Sequence, residues 1–222
     1  MSSSEVDTGD SVHPGKPVIV GRYTVAARIN HWITAVSLVL LALSGLALYS
    51  PSLYFLTGLF GGGQWTRAIH PWIGVVLFFS FMGLFFRFFR LNLWNKTDSV
   101  WLSRLREVLA GDEEKLPEVG KYNAGQKMVF WSMSFLILIL IVSGLVSWDE
   151  YFASYFTIEQ RRMAVLVHSG AAIVAICVWI VHVYAGIWVR GTISAMTKGQ
   201  VTGGWAWRHH RKWLKDLVTT KH

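Results

Sequence analysis

The chain has 222 residues, of which 53% are apolar and only 15% are Asp, Glu, Lys or Arg, with 12 Trp and a mean hydropathy of +0.39. Soluble domains carry about 25% charged residues, so this composition excludes an ordinary soluble globular domain and points to a membrane protein. The net charge of +8 does not indicate a nucleic-acid partner, because the basic residues form no run and accompany no recognition motif.

Residues 1–28 are polar, include His13, Pro14, Gly15 and Pro17, and lack the apolar core of a cleavable signal. They are expected to form a cytoplasmic tail, with the first span retained as an uncleaved anchor. Four apolar blocks follow at about 30–49, 70–86, 128–148 and 163–189. Each is close to the roughly 20 residues an α-helix needs to cross hydrocarbon, where only a helix satisfies its own backbone. The expected fold is an all-α integral membrane protein, a four-transmembrane-helix bundle over residues 29–190 with a cytoplasmic segment at 87–127. Within that segment residues 98–120 read as a short amphipathic surface helix and a turn, after a span end where Arg87 and Arg90 snorkel. Residues 191–222 form a basic tail.

Orientation follows from Lys and Arg. Of the 21, 18 lie in the N-terminal, middle and C-terminal segments; the loop "GGGQWTR" holds Arg67, and the loop "DEYFASYFTIEQRR" holds Arg161 and Arg162. Cytoplasmic flanks accumulate basic residues, so both termini are expected in the cytoplasm and the two short loops outside. Trp32, Trp72, Trp131, Trp148 and Trp188 fall near span ends, as interfacial belts do. The single cysteine, Cys177, sits in mid-span. It excludes a disulfide framework and a Cys-x-x-Cys-His haem attachment, and it reads as a small core residue.

Of eight histidines, His13, His209, His210 and His222 lie in polar tails, where solvation is the default. His31, His70, His168 and His182 lie in the spans, where ionisable groups are rare and mark function. His168 and His182 are fourteen positions apart. At about 100° and 1.5 Å per residue they share a helix face roughly 21 Å apart, too far for one metal and suited to two stacked centres. By depth His70 pairs with His168 near the outer face, and His31 with His182 near the cytoplasmic face. Two imidazoles without Cys, Asp or Glu are too few for a zinc site, whereas a porphyrin iron needs only two axial ligands. Gly45 lies fourteen residues after His31, and Gly74 and Gly186 each follow a histidine by four. They are expected to admit a flat macrocycle, although packing glycines are common in membrane helices.

The blocks "RYTVAARINHWITA", "RAIHPWIGVV", "VGKYNAGQKMVFW", "LVHSGAA", "IVHVYAGIWVRGTISAM" and "WAWRHH" cover most of residues 22–210. They resemble the cytochrome b (gamma) subunit of membrane-bound respiratory formate dehydrogenase. Hydrogenase cytochrome b subunits share the four-helix plan but lack the "GKYNAGQK" block. The resemblance implies two haems b, the outer ligated by His70 and His168 and the inner by His31 and His182, as the depth pairing also has it. It implies a quinone site, for menaquinone or ubiquinone, beside the inner haem at Asn123, Gly125 and His182. The amides of Asn123 and Gln126 and the backbone at Gly125 are suitable donors at the inner boundary. A plain helix cap at Asn123 is the alternative. The implied partners are an iron-sulfur (beta) subunit on the outer face and, through it, a molybdenum or tungsten catalytic (alpha) subunit, within membrane lipid and with the heterotrimer open to higher oligomers. The implied location is the bacterial cytoplasmic (inner) membrane.

Some stretches depart from the family pattern: "SWDEYFA" brings Asp149 and Glu150 into the outer loop, "GGG" occupies 61–63, and Arg211 follows the two histidines of "HHRKW". Arg67, Arg161 and Arg162 are candidates to pair with outer-haem propionates. The expected role is passage of electrons inward to a quinone that takes protons from the cytoplasm, with no chemistry on formate in this chain. Two other readings stay open: the cytochrome subunit of a hydrogenase or other periplasmic oxidoreductase, and a histidine-based proton or metal transporter, which calls for acidic partners in the spans.

Overall fold

The computed structural model describes residues 11–13 and 17–219. Residues 1–10 and 14–16 of the expected N-terminal tail, and 220–222 with His222, lie outside the described residues. The elements in order are β1 (Ser11–His13), β2 (Ile19–Gly21), α1 (Val25–Tyr49), α2 (Gly63–Phe88), α3 (Lys96–Ser103), α4 (Leu105–Ala110), α5 (Ala124–Ser147), α6 (Asp149–Phe152), α7 (Ile158–Trp188), α8 (Thr192–Thr197), β3 (Gln200–Thr202), α9 (Gly203–His209) and α10 (Arg211–Thr219), with short 3-10 turns between. Four helices are long and apolar enough to cross a membrane: α1, α2 with its extension to Asn92, α5 and α7. They coincide with the four expected spans and begin four to seven residues earlier.

Polar caps explain the earlier starts. Thr24 Oγ1 accepts from the Ala27 amide. At α5 the Gln126 amide donates to Asn123 Oδ1 and the Asn123 amide to Gln126 Oε1, at 3.0 and 3.1 Å. At α7 Thr157 and Gln160 make the same reciprocal pair. Such boxes satisfy the orphan amides of a first turn, so helix extends beyond the apolar run. The glycine run before α2 also has a local cause. Gly61 and Gly62 have φ of 86° and 101°, accessible to glycine without a Cβ clash. A Cβ on Gly63 would lie 2.1 Å from Tyr54 Oη.

The contacts divide the chain into two compact units. One comprises Asn30–Phe85 and Trp131–Val181; the other comprises the described residues of Met1–Ile29, Phe86–Phe130 and His182–His222.

In the first unit Leu38, Leu77, Phe81 and Ile137 form one buried cluster, and Leu136, Ala171 and Ala175 another. A polar clamp joins α1 to α2: Ser80 Oγ lies 2.6 Å from Asn30 Oδ1 and 2.8 Å from Thr34 Oγ1. The large outward-facing side chains, Phe79 and Phe135 among them, suit a lipid surface.

In the second unit the segments expected to be solvated tails are folded. β1, β2 and β3 make an antiparallel sheet in that order, with Val20 opposite Val201. Val20, Val201, Trp205, Ala206 and Trp213 form its core. Arg22, which the sequence presents as a basic flank, is 1% exposed. Its guanidinium lies 4.7–5.8 Å from the ring centres of Trp213, Trp205, Tyr23 and Tyr122 and donates to the Lys121 carbonyl. Stacking of this kind stabilises a buried guanidinium.

His210 is buried too, contrary to the solvated role expected of it. Its Nδ1–H donates to the Gly120 carbonyl at 2.8 Å, and Nε2 lies 3.4 Å from Arg22 Nη2. Burial, then the neighbouring Arg22 charge, hold its pKa well below 6.5. Burial likewise lowers His209 to about 4, so at pH 7 it is an uncharged ring that contacts Glu113 at 2.8 Å. For both histidines the folded pKa lies below the unfolded value, so the unfolded chain binds more protons as pH falls below 6.5. Stability of this unit is therefore full above pH 6.5 and declines from there toward pH 4. Limited proteolysis of the C-terminal helices should accelerate between pH 7 and 5; an unchanged rate would contradict the burial of these rings.

The expected amphipathic helix in 98–120 is two helices, α3 and α4, broken at Arg104 (φ −105°, ψ 33°). Trp101 of α3 is buried with Val119 and Ala124. Asp98 caps α3 through the Asn95 amide at 2.8 Å and pairs with Lys127 Nζ at 2.7 Å, both side chains nearly inaccessible. Lys127 also donates to the Leu93 carbonyl at 3.0 Å.

Candidate functional site

Within the first unit the structure brings His70 of α2 and His168 of α7 together, their ring centres 6.3 Å apart and their planes at 67°. Each is held from behind by a serine. Ser44 Oγ of α1 lies 2.7 Å from His70 Nδ1, and Ser143 Oγ of α5 lies 3.0 Å from His168 Nδ1. The serines also bond their own helices: Ser44 Oγ to the Leu40 carbonyl at 2.7 Å, Ser143 Oγ to the Ile139 carbonyl at 2.6 Å.

Valence then fixes the proton positions. A carbonyl only accepts, so the single hydroxyl proton of each serine goes to its helix. The Ser–His contact must therefore be donated by the ring, which places the imidazole proton on Nδ1 and the lone pair on Nε2. That is the tautomer a metal-ligating histidine needs.

The glycines after these serines let the rings in. A Cβ on Gly45 would stand 3.3 Å from His70 Cε1, and one on Gly144 3.3 Å from His168 Cε1. Gly45 thus lies beside the His70–His168 pair, and the close approach it permits is that of an imidazole. Gly74 and Gly186 face open space. Ser44, Ser143 and Gly144 are absent from the sequence-derived site. The signal for them is the repeated pattern L-x-x-S-G-L at 41–46 and 140–145.

The donor set fits a porphyrin iron. His70 and His168 would hold the iron through Nε2, and haem b would supply one-electron chemistry there. Among the described residues no group of three or more His, Cys, Asp or Glu is placed to hold an ion; a porphyrin would bring the remaining donors itself.

The other expected residues are placed less completely. His31 stacks edge-on against Trp32, ring centres 5.8 Å apart. It belongs to the first unit and His182 to the second, so their pairing rests on sequence depth. Asn123 and Gln126 form the α5 cap through their side-chain oxygens, so the capping alternative is realised. Gly125 has a packing cause, since a Cβ there would stand 3.3 Å from the Trp101 ring. Arg161 forms an ion pair with Asp149, at a cleft they line with Ser147, Ile158, Arg162 and Val165. That pair engages one of the three arginines proposed for propionates.

The family profile of prokaryotic cytochrome b561 matches residues 22–199, which include all four spans. The chain belongs to the prokaryotic cytochrome b561 family. Members are helical membrane haem-b proteins, so this cytochrome is a multi-pass membrane protein that carries haem b. It is 44% identical over 199 residues to the cytochrome b556(fdo) subunit of formate dehydrogenase from Escherichia coli K12, covering 90% of this chain and 93% of the relative. With the nitrate-inducible cytochrome b556(Fdn) subunit of the same organism it shares 40% over 202 residues, 91% and 93% of the two chains. The Haemophilus influenzae formate dehydrogenase cytochrome b556 subunit is 37% identical over 200 residues, 90% of this chain and 84% of the relative. The likeness to formate dehydrogenase cytochrome b subunits expected from the motif blocks is borne out along most of this cytochrome's length.

Proposed function

We propose that this cytochrome is the membrane-anchoring dihaem subunit of a formate dehydrogenase complex in the bacterial inner membrane. It passes electrons from an iron-sulfur subunit on the outer face to a quinone reduced near the cytoplasmic face. The observation that carries the reading is the His70–His168 pair, with ring centres 6.3 Å apart and both Nδ1 atoms held by serines. Haem b, when bound, supplies one-electron transfer, with a potential set by its axial ligands and their hydrogen bonds.

The protein residues divide the work by depth. His70 and His168 hold the outer centre, His31 and His182 the inner one, and both chain ends lie in the cytoplasm. Asn123 and Gln126, at the start of α5, use their oxygens in the cap, while their NH2 groups are donors suited to a quinone carbonyl. Quinone reduction draws protons, and a site at the cytoplasmic boundary has water beside it. Moving each electron inward against the membrane potential costs about 2.3 kcal/mol per 100 mV, which the low potential of formate supplies. The catalytic molybdenum or tungsten subunit joins through the iron-sulfur subunit.

A reduced-minus-oxidised spectrum with haem quantification on the purified chain tests this. The expected result is low-spin bis-imidazole haem b at two per chain; a chain without haem bands overturns the proposal. Purification of the native complex and identification of its subunits decides the donor, an iron-sulfur partner of a hydrogenase being the contrary outcome.

A further inference from the structure

We propose that Ser44 and Ser143 are positioning residues of the outer centre, a matched pair that sets the tautomer and donor strength of its two axial imidazoles. This rests on the reading that His70 and His168 bind haem. The two halves of the centre are built alike. In each, an L-x-x-S-G-L turn of one long helix receives the histidine of the next long helix, 26 residues on for His70 and 25 for His168. The glycine admits the ring edge and the serine accepts from Nδ1–H.

The serine is an acceptor by necessity, because its own proton is committed to the carbonyl four residues back. An Nδ1–H that donates leaves more electron density on Nε2 and strengthens it as a ligand. A stronger donor favours ferric over ferrous iron, so the two serines together hold the outer centre at a lower potential than bare imidazoles would. Ser44 is fully buried and its contact is the shorter, 2.7 Å against 3.0 Å. Its share is the larger.

The test is a redox titration and low-temperature EPR of the full chain in membranes carrying Ser44→Ala, Ser143→Ala, Ser44→Thr or Ser143→Thr. Each Ala variant is expected to keep a low-spin outer haem whose ferrous-to-ferric ratio at fixed potential rises several-fold. A tenfold rise corresponds to about 59 mV for a one-electron couple. Ser44→Ala should shift more than Ser143→Ala, and the inner haem should hold its potential. The Thr variants, which retain the hydroxyl, should return toward the parent. Unchanged outer-haem potential and g-values in both Ala variants would overturn the assignment. If an Ala variant loses the outer haem altogether, the matching Thr variant decides: recovery supports the role and continued loss refutes it. A parent chain that binds no haem refutes the functional reading itself, a different result from a parent whose haem ignores the serines.

Discussion

If the chain is the dihaem subunit proposed above, His70→Ala should leave it with one haem in place of two. In the proposed outer centre His70 would be one of two protein ligands, and its partner, His168, stands on another helix with its ring centre 6.3 Å away. A lone imidazole cannot hold a low-spin bis-histidine iron. Electron flow from an outer donor to quinone should fall by more than the roughly 10–100-fold that loss of a hydrogen-bond partner to a metal ligand costs. His168→Ala should behave identically. By the proposed pairing, His31→Ala should remove the other haem and spare this one. Haem quantification and the spectrum of each variant check this. Loss of both haems from His70→Ala would contradict the pairing by depth.

Lys127→Met should destabilise the chain by about 3–5 kcal/mol, the usual effect of leaving a buried charge without its partner. Asp98 and Lys127 are 1% and 3% exposed, and the ammonium is also the donor to the Leu93 carbonyl. The change strands the Asp98 carboxylate, which caps α3. In a chain of this length that corresponds to a fall in Tm of roughly 10 °C, measurable by thermal unfolding in detergent. Asp98→Asn combined with Lys127→Met should recover much of the loss, since it removes the stranded charge. The same lysine fixes the start of α5, four residues after Asn123, so if the proposed quinone site lies there, quinone reduction should weaken in Lys127→Met even below its unfolding temperature. A variant with parental Tm would show that the pair contributes no net stability.

The spans were legible because charge is expelled from long apolar runs, and the four intramembrane histidines because little else in those runs ionises. Depth pairs His70 with His168, and in the structure their ring centres lie 6.3 Å apart. Ser44 and Ser143 were not legible. A serine in a membrane helix ordinarily bonds its own backbone, and nothing in one helix reveals which ring on another will donate to it. Arg22 and His210 were misread for a related reason. Their partners lie 99 and 90 residues distant in Lys121 and Gly120, so a local count of charges sees only a basic flank and a polar tail. The aromatic density of "WAWRHHRKW" was the available sign of a folded segment.

The sheet that pairs Val20 with Val201 also imposes an order on biosynthesis. Strand β2 leaves the ribosome before any span and its partner β3 after all of them, about 180 residues later, roughly 10–40 s at ordinary elongation rates. Throughout that interval Arg22 has neither Trp205 nor Trp213 to stack on and stays hydrated. The nascent chain therefore displays this positive charge while topology is being chosen, and sequesters it once the last helix has been made.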